Sequence, residues 1–359
     1  MKAENHKRPV SAGVASGWRL DELTAWRGYS LEWAGGGKLL VTCRRSIFEA
    51  ADCSDNPFRF AALPVPWWQA AAASFRPIQR LLRLMFYNLI PVKNGAFVVS
   101  FGKRVAVIND GEFHPVSGLR RACRILRGAC ADTDDGLFFG EYVNNPARDE
   151  IFIYRLDALA RRSEVAYSFP ARAIRHVHGV YRDPYTSELW CLTGDLPSEC
   201  QMLRTRDGFS TLDVVGAGDE SWRAVSVQFT SDAVFYGSDA EFAQNHLYRI
   251  DRRTGRRDSL GPISGPVYYS CRSGRNMYFA VTAEMCPSQT DRCAALWCVS
   301  ENGHLERILQ MTKDHWHKKY FMPGTLHFPG GPGLDDQVLF HAVGLARADN
   351  RMFSLRRAA

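Results

Sequence analysis

Long apolar runs are missing from this chain. The first residues, MKAENHKRPVSAGVASGW, contain no apolar core of the kind a secretory signal needs, so a cytoplasmic location is expected. The stretch Leu81 to Val92 is short and is broken by Arg83, Asn88 and Pro91, which excludes a transmembrane helix. No Cys-x-x-Cys pair occurs among the 10 cysteines, so zinc-ribbon and thioredoxin-type readings fail. Cys43, Cys191 and Cys298 sit inside strand-like runs, where a reduced cysteine packs as a small apolar residue. Cys286 and Cys293 share a loop and are read as free thiols. Long helical periodicity is nearly absent. The net charge is +7, yet the arginines are scattered and form no basic stripe interleaved with aromatics. Nucleic acid is therefore not an expected partner.

What is present is a core and a repeat. Hydrophobic residues make up 46% and aromatics 12% of the chain, enough for a packed all-β core. A short pattern recurs: apolar, aromatic, often Arg, then a turn with Asp. It reads Ile153-Tyr154-Arg155-Leu156-Asp157 and again Leu247-Tyr248-Arg249-Ile250-Asp251. Looser copies begin at Ile47, Val105, Met202, Leu296 and Met352. From Ile47 to Met352 the mean interval is about 51 residues, the size of one four-stranded propeller blade with its loops. The prediction is a seven-bladed β-propeller over residues 14–359, with six blades as the alternative count. Residues 1–13 are expected to be a disordered tail. The last copy of the pattern leaves no room for an outer strand. Residues from about Val14 to Leu23 are expected to supply it and close the ring. The run PWWQAAAASFRPIQRLLRLMFY predicts a helical insertion near 66–86, interrupted at Pro77. A second insertion, KDHWHKKYFMPG, precedes the last blade.

Propeller geometry turns this repeat into a surface. The innermost strand of each blade leaves one face and the second strand returns to it. Starts of first strands and ends of second strands therefore share that face. Second-strand ends contribute Arg44, Arg45, Lys103, Glu141, Asp195, Asp239, Glu241 and Glu284. First-strand starts contribute His176, His178, Trp222, Arg223, Tyr268 and Tyr269. His176 and His178 are two apart and share one side of a strand. With Asp195 or Glu199 they form a candidate site for a divalent metal ion. One histidine is alternatively a general base, with Tyr268 or Tyr269 as acid. Glu141, Asp195, Asp239 and Glu284 offer carboxylates for glycoside hydrolysis or for sugar hydroxyls. Trp222 suits a sugar face, and Arg223, Arg44 and Arg45 suit anionic groups.

The segment Thr205-Arg-Asp-Gly-Phe-Ser-Thr211 has the form of a degenerate Asp-box, a structural turn. Together with HVHGVYRDPYTSELWCLTGD, WRAVSV, YGSDAEFAQNHLYRIDRRTG and GPVYY, it makes the chain resemble the BNR-repeat, sialidase-like propellers of bacteria, best over Asp132 to Gly303. The resemblance implies a propeller and a glycan or oligosaccharide partner in a polysaccharide-synthesis setting. It carries over no sialidase activity, because neither an arginine triad nor an early Arg-Ile-Pro segment is evident. The expected function is that of a carbohydrate-active hydrolase or lyase. The alternative is a non-catalytic propeller that binds glycan or protein.

Overall fold

A computed structural model describes residues 12–84, 88–92, 95–123, 126, 128–131, 136–289, 291–300 and 302–358. Seven antiparallel sheets are arranged radially as a seven-bladed β-propeller. From axis to rim, blade 1 is Ser30–Gly35, Lys38–Cys43, Ser46–Ala50 and Phe58–Ala62. Blade 2 is Asn88–Pro91, Phe97–Phe101, Arg104–Asn109 and Glu112–Pro115. Blade 3 is Cys130–Ala131, Gly136–Gly140, Ile151–Asp157 and Arg162–Phe169. Blade 4 is Val177–Arg182, Leu189–Thr193, Gln201–Thr205 and Asp213–Ala217. Blade 5 is Ala224–Phe229, Ala233–Ser238, His246–Asp251 and Arg257–Pro262. Blade 6 is Val267–Ser273, Asn276–Val281, Cys293–Val299 and Leu305–Thr312. Blade 7 is Thr325–His327, Val338–Val343 and Arg351–Arg357.

The fourth strand of blade 7 is Trp18–Glu22, antiparallel to Arg351–Arg357 with Trp18 opposite Arg357. The ring thus closes through the N-terminal segment, as the missing outer strand requires. The segment also does something the repeat did not announce. Ala12–Val14 adds a fifth strand to blade 6, so two neighbouring blades are stitched by one segment. Of the expected tail, residues 1–11 lie outside the described residues, and Ala12 and Gly13 are strand.

Burial follows strand position. Second strands such as Leu189–Thr193 and Ala233–Ser238 are buried at every residue, because a neighbouring blade covers each face. The outer strand Asp213–Ala217 is half-buried at best. Close approach between blades needs small residues at the contact. A side chain at Gly140 would sit 2.4 Å from Val177, and one at Gly237 would sit 2.4 Å from Val267. Each of these glycines ends, or nearly ends, a second strand, and each valine starts the next blade.

Asp207 fixes the turn after the third strand of blade 4, although nothing in the fold assigns the chain to the BNR-repeat propellers. Asp207 accepts bonds from the Thr211 amide (2.9 Å), the Thr211 hydroxyl (2.7 Å) and the Thr205 hydroxyl (2.7 Å). These bonds hold its carboxyl down at about 2. The turn joins the third and fourth strands of blade 4 and buries Phe209 against Phe138.

Both insertions lie on the face where first strands begin, here called the upper face. Between blades 1 and 2 stand two short helices, α1 (Trp67–Ala72) and α2 (Arg76–Leu81). The alanine run favours α1. Pro77 does not break a helix as the sequence suggests; it occupies the first turn of α2, where its missing N–H costs nothing. Arg76 pairs with Asp349 at 2.9 Å, and buried Arg80 pairs with Asp314 at 2.5 Å. These bonds tie the helical insertion to blade 7 and to the second insertion. No helix among the described residues is long and apolar enough to cross a membrane.

Candidate functional site

One structural device aims the central side chains. The first strands of blades 1, 4, 5 and 6 carry a bulge near their start, and in three of them a single residue has no partner on the second strand. In blade 4 it is His178, between Val177 and Gly179. In blade 6 it is Tyr268, between Val267 and Tyr269. In blade 1 it is Glu32, between Leu31 and Trp33. A bulge turns a side chain away from the regular alternation.

Around His178 the polar cluster is dense. His178 Nδ1 lies 2.9 Å from the Ala224 carbonyl of blade 5, and His176 Nδ1 lies 3.0 Å from the Val143 carbonyl of blade 3. A carbonyl can only accept, so each Nδ1 carries the proton. In the neutral ring Nε2 then presents a lone pair. His176 Nε2 is 3.4 Å from Asp195 Oδ2, and the two imidazole centroids are 5.1 Å apart. His176, His178 and Asp195 each offer a ligand atom within 4.8 Å of the others. Asp195 Oδ2 is buried and accepts no hydrogen bond. Burial raises the Asp195 pKa, and Arg223 and Arg175 offset this only in part. Two Nε2 lone pairs and a buried carboxylate oxygen, with carbonyls fixing the imidazoles from behind, fit a divalent cation.

Arg223 links this group to the next blade. Its Nε is 3.0 Å from Asp239, and its Nη2 is 3.5 Å from Asp195. Burial works against its charge, but Asp239 and Asp195 reverse the effect and raise its pKa. Tyr268 follows in blade 6 and hydrogen-bonds Glu284. Burial, then Asp239 and Glu284, push its phenol well above the ordinary range. Tyr142 completes the group. Its ring is 4.3 Å from His176 and 6.4 Å from His178, and it also acts electrostatically on Tyr268. Blades 3, 4, 5 and 6 therefore bring Tyr142, His176, His178, Asp195, Arg223, Asp239, Tyr268 and Glu284 together.

The other sequence candidates go elsewhere. Glu141 is buried inside blade 3, where it accepts from Tyr154 Oη (2.9 Å) and the Phe152 amide (3.2 Å). Glu199 is buried beside Arg148 at 2.8 Å and supports the rim of the site rather than the metal-type triad. Trp222 is no free platform: Arg257 lies 3.9 Å above its ring, and Tyr236 stacks against it at 6.2 Å. Tyr269 faces away from Tyr268 and stacks on His327 at 4.5 Å. Arg44 and Arg45 are exposed in a turn of blade 1, and Glu241 is exposed in a loop of blade 5. Two participants escaped the sequence reading. Tyr142 follows Glu141 at the same second-strand end, so the same rule reaches it. Arg175, 3.7 Å from Asp195, immediately precedes His176. No motif marks either one.

Fold and site together define a β-propeller with an imidazole, carboxylate, guanidinium and phenol cluster on its upper face. No family model and no curated protein matches the chain. Solved structures do share its fold. An oligogalacturonate lyase from Vibrio parahaemolyticus is 11% identical with a TM-score of 0.61, covering 96% of both chains. An oligogalacturonate lyase in complex with manganese is 13% identical with a TM-score of 0.57, covering 98% of this chain and 97% of that one. A chain of the mitotic checkpoint complex is 11% identical with a TM-score of 0.51, covering 98% and 94%. At these identities the likeness is one of fold.

Proposed function

We propose that this propeller is a carbohydrate-active lyase that cleaves a uronate-containing oligosaccharide by β-elimination with the aid of a divalent cation. The observation that carries the reading is the meeting of His176, His178 and Asp195 with Arg223 and the Tyr268–Glu284 pair. The fold likeness to two oligogalacturonate lyases, one of them in complex with manganese, supports it. His176, His178 and Asp195 would hold the cation, which would supply positive charge to neutralise the uronate carboxylate and acidify the proton on its α-carbon.

The chain's own residues do the rest. Arg223 is fixed from two sides and orients the same carboxylate. Tyr268 is un-ionised, so it becomes a base only if its own proton has somewhere to go, and Glu284 accepts it. The α-proton passes to the Tyr268 oxygen as the phenolic proton passes to Glu284. The bond to the leaving sugar oxygen breaks, the former C–H electron pair becomes a carbon–carbon double bond, and the leaving oxygen takes a proton from solvent. Hydrolysis is a poorer match, because Asp195 and Asp239 both serve as counter-ions to one guanidinium instead of flanking a bond.

The test is incubation with acidic oligosaccharides and manganese, with and without a chelator, following the ultraviolet absorbance of unsaturated uronates. The expected result is chelator-sensitive product that is lost in His176→Ala. Binding across a broad panel without any product assigns the protein to the non-catalytic reading.

A further inference from the structure

The helical insertion carries side chains that the chemistry does not use. Trp67 is 79% exposed, Phe75 60%, Trp68 55%, Leu82 51%, Leu81 46% and Ile78 37%. Six large exposed apolar groups fall within sixteen residues, a concentration that marks a candidate contact surface. The insertion is not loose. Arg76 and Arg80 anchor α2 to Asp349 and Asp314 from below, so the apolar side chains are held outward.

The charge around the patch is one-sided. From Asn56 to Asn109 there is no aspartate or glutamate, while Arg59, Arg76, Arg80, Arg83, Lys93, Lys103 and Arg104 all fall in that stretch. Arg44, Arg45, Arg83, Lys103 and Arg104 are exposed. The two turns that carry Arg44, Arg45 and Lys103 join second to third strands, so by topology they share the upper face with the helices. Tryptophan, phenylalanine and leucine beside the exposed Arg44, Arg45, Arg83, Lys103 and Arg104, with the carboxylates of Asp349 and Asp314 taken up by Arg76 and Arg80, complement a surface that is apolar in depth and anionic at its top. An interfacial bilayer contact has those two properties.

We propose that the upper face over blades 1 and 2 is a peripheral membrane-binding surface, with the α1–α2 insertion dipping into an anionic bilayer. The contact is interfacial, since neither helix is long enough to span. It leaves the loops over blades 3 to 6 beside the bilayer. This inference is independent of the lyase reading.

Sedimentation with vesicles tests it. Full-length protein is mixed with vesicles of phosphatidylcholine and phosphatidylglycerol, or of phosphatidylcholine alone, at low and high salt. The expected result is partitioning to the anionic vesicles that falls with salt. It drops about tenfold or more in Trp67→Ser/Trp68→Ser and by a smaller factor in Arg83→Glu. Val214→Ser removes a side chain that is 64% exposed on the outer strand of blade 4 and leaves partitioning unchanged. These sites are exposed, and an unchanged melting temperature shows that the variants fold. Equal partitioning to both vesicle types, or undiminished binding by the tryptophan double variant, overturns the proposal. So does a wild-type dimer that the double variant dissolves while no vesicle is bound, which would give the patch to a second copy of the chain.

Discussion

The two halves of the upper face use the same loops in opposite ways. Over blades 3 to 6 the charges point inward and answer one another: Arg223 is held by Asp195 and Asp239, and both imidazoles are fixed by carbonyls. Over blades 7, 1 and 2 the helical insertion uses its buried charges as anchors, and its apolar side chains face out. The first arrangement stores electrostatic energy in fixed geometry, which is what charge-developing chemistry needs. The second spends its ion pairs on holding a contact surface in place. One repeat thus carries an inward charged cluster and an outward apolar edge without changing its blades.

That contrast can be broken from either side. The largest effect is expected at Tyr268. Tyr268→Phe removes the proton-transfer oxygen but keeps the ring, so elimination falls by about 10²–10⁴-fold with the melting curve unchanged. Steady-state kinetics alongside calorimetry checks it; full activity in the variant would remove Tyr268 from the reaction. Next is Arg223→Met. It removes the guanidinium that Asp195 and Asp239 share, leaving Asp195 to Arg175, and costs roughly 3–5 kcal/mol, read by chemical denaturation.

Glu32 gives a pH signature confined to the other half. Burial, only partly offset by the Thr42 hydroxyl, pushes its carboxyl up from 4.5 to about 8. The unfolded chain therefore ionises at a pH where the folded chain still holds the proton. This contribution to stability is complete below 4.5 and is lost as pH rises toward 8. Glu32→Gln removes that slope and stabilises the protein at about pH 8 by roughly 3 kcal/mol, measured as unfolding free energy against pH. A wild-type profile that is flat across this range would show that Glu32 ionises freely. The smallest effect is at Glu284. Glu284→Gln keeps a partner for the Tyr268 hydroxyl but cannot take its proton, so turnover drops about 10²-fold while substrate affinity holds.

Much of this architecture was legible in the residues. The aromatic–Arg–Asp repeat marks third strands, and its spacing alone implies the blade count and the need for a borrowed outer strand. The rule that first-strand starts meet second-strand ends brought His176, His178, Asp195, Arg223, Asp239, Tyr268 and Glu284 to one face. It failed where side-chain direction, not strand position, decides. Trp222 and Glu141 stand at the right ends of their strands but turn into neighbouring packing, against Arg257 and Tyr154. Bulges are the hidden variable. A single unpaired residue aims His178 and Tyr268, and no local pattern around Val177 or Val267 announces it. The second strand contributed by Ala12–Val14 was equally silent, since three small residues show no alternation.

The most direct test of the account is a single assay on three proteins. Wild type, His176→Ala and Tyr268→Phe are incubated with uronate oligosaccharides and manganese, and the absorbance of the new conjugated double bond is followed. The account predicts a steady rise for wild type and essentially none for either variant, although both remain folded. No rise for wild type on any acidic glycan, or equal rises for all three, would contradict it.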